Sequence, residues 1–159
     1  MTTSVRPAGP GDDAFLQATL SDAFGSTMMA VHDELLDARG DAAAVADRDG
    51  RPVGLLTWRD DGRGGWEIVS LAAVEQRSGA GTALLEWFRE HARRHRITRL
   101  WLITTNENST ALRFYQRRGF DLVRLDRDAV TRARELKPSI PATGDGISIR
   151  HELELELLL

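Results

Sequence analysis

At 159 residues, 42% apolar and 28% charged, the chain has the length and composition of one globular domain with a substantial core, leaving little room for a second. A net charge of −3 supplies none of the concentrated basic surface that nucleic-acid binding needs, and the absence of cysteine excludes disulfides, thiolate metal sites and a cysteine nucleophile. Met1 to Asp13 has no apolar signal core and no run approaches membrane-spanning length, so a soluble cytoplasmic protein is expected.

Ser4 to Ala8 reads as a short first strand closed by Gly9-Pro10-Gly11. Asp12 or Asp13 then caps a helix whose apolar residues Leu16, Leu20, Ala23 and Phe24 recur at helical spacing until Gly25 stops it. Ser26 to Ala38 is expected to form a second helix. Ala42 to Ala46 and Pro52 to Trp58 read as strands joined by the hairpin signal Asp49-Gly50. A turn at Asp60 to Gly65 leads into a third strand, Trp66 to Val74, completing an antiparallel meander.

The helix that begins near Gly79 carries Leu84, Leu85, Phe88 and Ala92 on one face. Leu100 to Thr104 is apolar without alternation, as in a strand covered on both faces. A helix from Asn108 or Ser109 to Gly119, a strand from Phe120 to Leu125 and a helix from Asp126 to Leu136 follow. After a loop to Gly146, Ile147, Ile149, Leu153, Leu155 and Leu157 alternate with polar residues, giving one last strand. The layout is α/β, with an antiparallel N-terminal half and a crossover helix entering a parallel central pair.

Gln76-Arg77-Ser78-Gly79-Ala80-Gly81-Thr82 joins the third strand of the meander to the next helix. Glycines at such a junction permit a tight turn and leave amides uncovered, while a helix N-terminus presents unpartnered N–H groups and a positive dipole end. This is a phosphate cradle, with Arg77 adding a cation. The dinucleotide fingerprint fails because Leu84 stands where its third glycine belongs, and the nucleotide-triphosphate loop fails because Thr82 follows Gly81 without a lysine.

The spacing of Gln76, Gly79 and Gly81 resembles the pyrophosphate motif of the GNAT superfamily of acetyl-coenzyme A-dependent N-acetyltransferases. Downstream, Asn108, Ala111, Phe114, Tyr115, Gly119 and Phe120 match the second motif of the same superfamily in the expected order. The resemblance implies a GNAT-type mixed sheet with helices on both faces, over a single domain spanning residues 1–159. It implies acetyl-coenzyme A as cosubstrate, with no metal, and transfer to a primary amine by direct attack in a ternary complex. A small-molecule amine is the favoured acceptor. A protein N-terminus or lysine and a catalytically silent coenzyme A-binding regulatory domain are the alternatives. No nucleic-acid or membrane partner is implied, and the chain is expected to be a monomer or homodimer.

The resemblance places the pyrophosphate on Gln76, Arg77, Ser78, Gly79, Ala80, Gly81 and Thr82. The pantetheine arm falls beside Leu71, Ala73 and Val74, with an N–H near Ala73 polarising the acetyl carbonyl. Asn108 contacts the coenzyme or caps its helix, and Ala111 and Phe114 complete that side. Tyr115 corresponds to the acid that protonates the leaving thiolate, or is a core aromatic. Glu67 is the candidate base for the amine, or a polar residue at a strand start. The segment between the strand and the glycine loop is about two residues shorter than is usual in the family, which leaves individual amides unassigned. His91 and His95 are spaced to bind zinc, but Ala92 replaces the glutamate that a zinc protease helix needs, and both are read as solvated.

Overall fold

The structure is a computed structural model that describes residues 2–75 and 78–159. Strand β1 (Thr3–Pro7) leads through a short turn to helix α1 (Asp13–Phe24), which ends at Gly25 in the left-handed region, φ 80°. The next segment departs from expectation. Ser26 to Ala38 is not a helix but a hairpin of β2 (Met28–Val31) and β3 (Glu34–Asp37), turned by His32 and Asp33. Its apolar spacing fits either structure, and packing decides: Met29 is buried against the cluster that holds Leu16, Leu20 and Val45.

The meander follows as β4 (Ala42–Arg48), β5 (Arg51–Asp60) and β6 (Gly65–Ala73). Helix α2 (Ala80–Arg94) crosses over to β7 (Arg99–Thr105), and α3 (Ser109–Gln116) leads to β8 (Asp121–Asp126). Helix α4 (Ala129–Leu136), the two-residue strands β9 (Thr143–Gly144) and β10 (Ile147–Ser148), and β11 (Glu152–Leu158) complete the order. The expected single C-terminal strand is therefore broken at Ile149–His151. Asn106 Oδ1 accepts from the backbone N–H groups of Arg150 and His151, and Ile147 is exposed rather than in line with Leu153.

Seven strands form one mixed sheet in the order β1-β4-β5-β6-β7-β11-β8. Only β6 and β7 are parallel; every other pair in it is antiparallel. Helix α1 covers one face over Val45, Leu55 and Ala72, while α2 covers the other over Ala44, Leu56, Ile68 and Leu102. The α2 stripe Leu84, Leu85, Phe88 and Ala92 is essentially inaccessible, as its spacing predicts. His91 is not simply solvated: it stacks on Trp87 at 4.5 Å, and burial together with the nearby His95 lowers its pKa.

One irregularity positions the site. Thr57 pairs with Ser70 but Trp58 pairs with Ile68, so Val69 is an extra residue in β6. Parallel pairing with β7 runs only from Gly65↔Arg99 to Ile68↔Leu102. Beyond that point the two strands part, and β6 continues to Ala73 beside β5 alone while β7 continues to Thr105 beside β11.

Candidate functional site

The parting of β6 and β7 opens a slot in the sheet. Val74 N–H donates to the Val53 carbonyl at 2.8 Å, so Val74 and, by alternation along the strand, Ala72 turn their backbone groups towards β5. Leu71 and Ala73 consequently turn theirs towards the slot. Leu71 and Ala73 thus present amides to a ligand lying there, whereas the Val74 N–H is already engaged.

Of the glycine-loop residues, Gln76 and Arg77 lie outside the described residues. Gly79 is the N-cap of α2 at φ 83°, a conformation that only glycine adopts without strain, and no atom of the described residues lies within 4 Å of where its Cβ would be. Ser78 Oγ accepts from Ala80 N–H at 3.4 Å. A Cβ on Gly81 would sit 3.4 Å from the Phe114 ring, so α2 and α3 approach closely here. Thr82, in the first turn of α2, accepts a 2.6 Å bond from Arg118 Nη2.

Two arginines not anticipated from the sequence bracket this loop. Arg118 lies over the Phe114 ring, 3.7 Å from its centroid, and also donates to the Phe114 carbonyl. From the other side Arg48 donates to the Ser78 carbonyl and to Thr3 Oγ1. Each keeps a buried Nε without a partner, and neither pairs with a carboxylate among the described residues. Cations with unmet donors beside a helix N-terminus favour an anion. Arg48 lies far from either motif and Arg118 fills an unspecified position inside the second, so spacing marked neither.

Asn108 caps α3: its Oδ1 accepts from Ala111 N–H at 3.2 Å while Nδ2 donates to Thr104 Oγ1. Ala111 and Phe114 are half-buried against the α2-side core. Tyr115 is buried at 5% exposure, and burial pushes its phenol well above the ordinary range, with Arg118 opposing. It therefore carries its proton at every working pH.

Glu67 sits one residue before the end of the parallel pairing and is only 6% exposed. Its two carboxylate oxygens lie 3.0 and 2.6 Å from His32 Nε2, so the tip of the β2–β3 hairpin folds onto the central strand. The hydrogen bond to Glu67 raises the His32 pKa against the opposing effect of burial. The imidazole also lies 5.6 Å from the Trp101 ring on β7. His32 lines a pocket with Asp33, the α4 residues Ala129, Arg132 and Leu136, and Glu152 on β11. Burial, and secondarily Asp126, raises the Glu152 pKa. Among the described residues no three His, Asp or Glu side chains converge as a metal site, and no helix is long and apolar enough to cross a membrane.

The Acetyltransferase (GNAT) family matches residues 13–120, which include the glycine loop, Glu67 and the Asn108–Phe120 segment. The chain belongs to the GNAT family. It is accordingly an acyltransferase, built on the GNAT fold.

The chain is 40% identical over 114 residues to the uncharacterized protein YdhI of Bacillus subtilis (strain 168), covering 71% of each chain. It is 45% identical over 116 residues to the uncharacterized protein YxbD of the same organism, covering 72% of each. Its fold is similar to that of an IAA acetyltransferase from Bacillus cereus ATCC 14579, with TM-score 0.80 at 22% identity over 99% of this chain and 100% of that one. A Bacillus subtilis acetyltransferase in complex with CoA gives 0.76 at 19% identity over 99% of each. A GNAT family acetyltransferase from Elizabethkingia anophelis with acetyl-CoA bound gives 0.71 at 18% identity, over 99% of this chain and 98% of that one.

Proposed function

We propose that residues 1–159 act as one N-acetyltransferase domain that moves the acetyl group of acetyl-coenzyme A to a primary amine, by direct attack in a ternary complex. A small-molecule amine is the favoured acceptor. The observation that carries the reading is the slot: β6 and β7 part beyond Ile68↔Leu102, with Leu71 and Ala73 amides turned inwards and the glycine-capped N-terminus of α2 nearby. Solved GNAT structures of the same fold hold CoA or acetyl-CoA.

In this reading the pyrophosphate rests on the amides of residues 78–82 together with Gln76 and Arg77, and Arg48 and Arg118 add charge. Pantetheine runs along Leu71 and Ala73, where the Ala73 N–H stabilises the developing oxyanion. Asn108, Ala111 and Phe114 hold the other wall. The basic centre is Glu67 with His32 bonded to it, which removes the proton an alkylammonium must lose before attack. Tyr115 donates to the leaving sulfur and completes proton transfer as charge builds there.

Calorimetric titration with acetyl-coenzyme A tests the cradle, with a Kd in the micromolar range, about −8 kcal/mol, expected. Thiol release across a panel of primary amines then tests turnover. Tyr115→Phe should lower kcat by about 10²-fold or more while leaving coenzyme affinity intact. Unchanged turnover would remove the acid role, and binding without turnover on any amine would leave a silent coenzyme-binding domain.

A further inference from the structure

We propose that His32, not Glu67, is the group that takes the proton from the incoming amine, and that Glu67 fixes the imidazole so that Nδ1 is free to accept it. The assignment rests on the acetyl-transfer reading above and divides its basic centre into two roles.

Access argues first. The Glu67 side chain is 7% exposed and that of His32 is 42%, so the carboxylate lies behind the ring. Both Glu67 oxygens face the same His32 nitrogen, Nε2. A carboxylate only accepts, so Nε2 carries hydrogen, and a neutral imidazole then has its lone pair on Nδ1. Among the described residues Nδ1 has no partner, and the ring lines the pocket closed by α4.

The backbone points the same way. His32 has φ 53° and Asp33 φ 60° in a two-residue hairpin turn, and this turn carries the ring onto Glu67. The charged groups around the ring are Glu67 on β6, Glu152 on β11, Arg59 on β5, Arg132 on α4 and its neighbour Asp33. Glu67 dominates, so an imidazolium formed during reaction is compensated by a buried carboxylate.

The step balances. One proton of the ammonium passes to Nδ1 of His32, and the freed lone pair forms the C–N bond to the acetyl carbon. The C–S bond breaks with its electron pair on sulfur, which takes the Tyr115 phenol proton. The second proton lost by the nitrogen returns to the Tyr115 oxygen, and His32 releases its own to solvent. Net, an ammonium and a thioester give an amide, a thiol and one proton.

Two-bond ¹H–¹⁵N correlation spectra of the labelled full chain read the tautomer and titration of each of its four histidines, with His32→Asn identifying the His32 signals. The expected result is an Nε2–H tautomer for His32, with a pKa that falls in Glu67→Gln. An Nδ1–H tautomer, or a titration indifferent to Glu67→Gln, would overturn the proposal.

Asn tolerates the left-handed turn, so His32→Asn should fold, bind acetyl-coenzyme A as wild type does and lose at least ~10²-fold in kcat on any amine the wild type acetylates. Glu67→Gln should retain more activity, with the acidic limb of its pH–rate profile displaced to follow the His32 pKa. Retained turnover in His32→Asn would overturn the assignment. Failure of the wild type to bind acetyl-coenzyme A would instead strike the acetyl-transfer reading, and calorimetry reports that separately from the spectra.

Discussion

Arg118 Nη2 donates a 2.6 Å hydrogen bond to Thr82 Oγ1, tying the end of one helical motif to the first turn of the other. The guanidinium lies over Phe114, and its Nε has no partner among the described residues. Arg118→Ala should raise the Kd for acetyl-coenzyme A by about 10-fold or more, in line with roughly 1.5–3 kcal/mol for a hydrogen bond to a charged group. Calorimetry at rising salt should show the wild-type advantage shrinking. Arg118→Lys should not restore it, because lysine lacks the planar fork.

Gly81 separates packing from binding. An added methyl at 3.4 Å from Phe114 is an ordinary contact, so Gly81→Ala should fold with unchanged or slightly raised thermal stability. Gly81→Val must displace the ring. Coenzyme affinity should therefore fall modestly in the first variant and by at least ~10-fold in the second, as measured by calorimetry.

The His32–Asp33 turn carries a backbone cost that can be relieved without touching the chemistry. Asp33→Gly places glycine where φ is 60° and leaves the His32–Glu67 bond untouched. Its Arg132 contact, at 4.0 Å and on an 86% exposed carboxylate, contributes little. Thermal unfolding should shift upwards by about 2–4 °C, the equivalent of about 1 kcal/mol in a chain of this size.

Acid stability should depend on Asp12. Its hydrogen bonds from Arg6, then from Gly9 N–H, hold its carboxyl down at about 2 from the usual 3.8. A depressed folded-state pKa gives stability that is present above the unfolded value and lost as pH falls through about 2. Asp12→Asn should be less stable than wild type at neutral pH, with the difference closing between about pH 4 and pH 2 in denaturant titrations.

Where local pattern and packing agreed, the sequence was legible: the α2 stripe, the Asp49-Gly50 turn, the Asn108 cap and the parallel pair all stand where spacing puts them. The failures have one physical source, tertiary contact. Met28 to Leu36 fits a helix equally well by spacing, and only the docking of Met29 and the seat of His32 on Glu67 make it a hairpin. The last strand breaks because Asn106, over forty residues away, captures two of its amides. Glu67 was readable as a candidate on its strand, but its pairing with His32 was not, since nothing local links positions 32 and 67.

The pocket beside His32 is assembled from two sources of different standing. One wall, the hairpin, lies within the stretch matched by the family; the other, α4 and Glu152, comes after residue 120. The residues proposed to cradle the coenzyme lie wholly inside the matched stretch. Exchanging the α4 residues that face the pocket, Arg132 and Leu136, should therefore alter acceptor preference while leaving acetyl-coenzyme A affinity where it was.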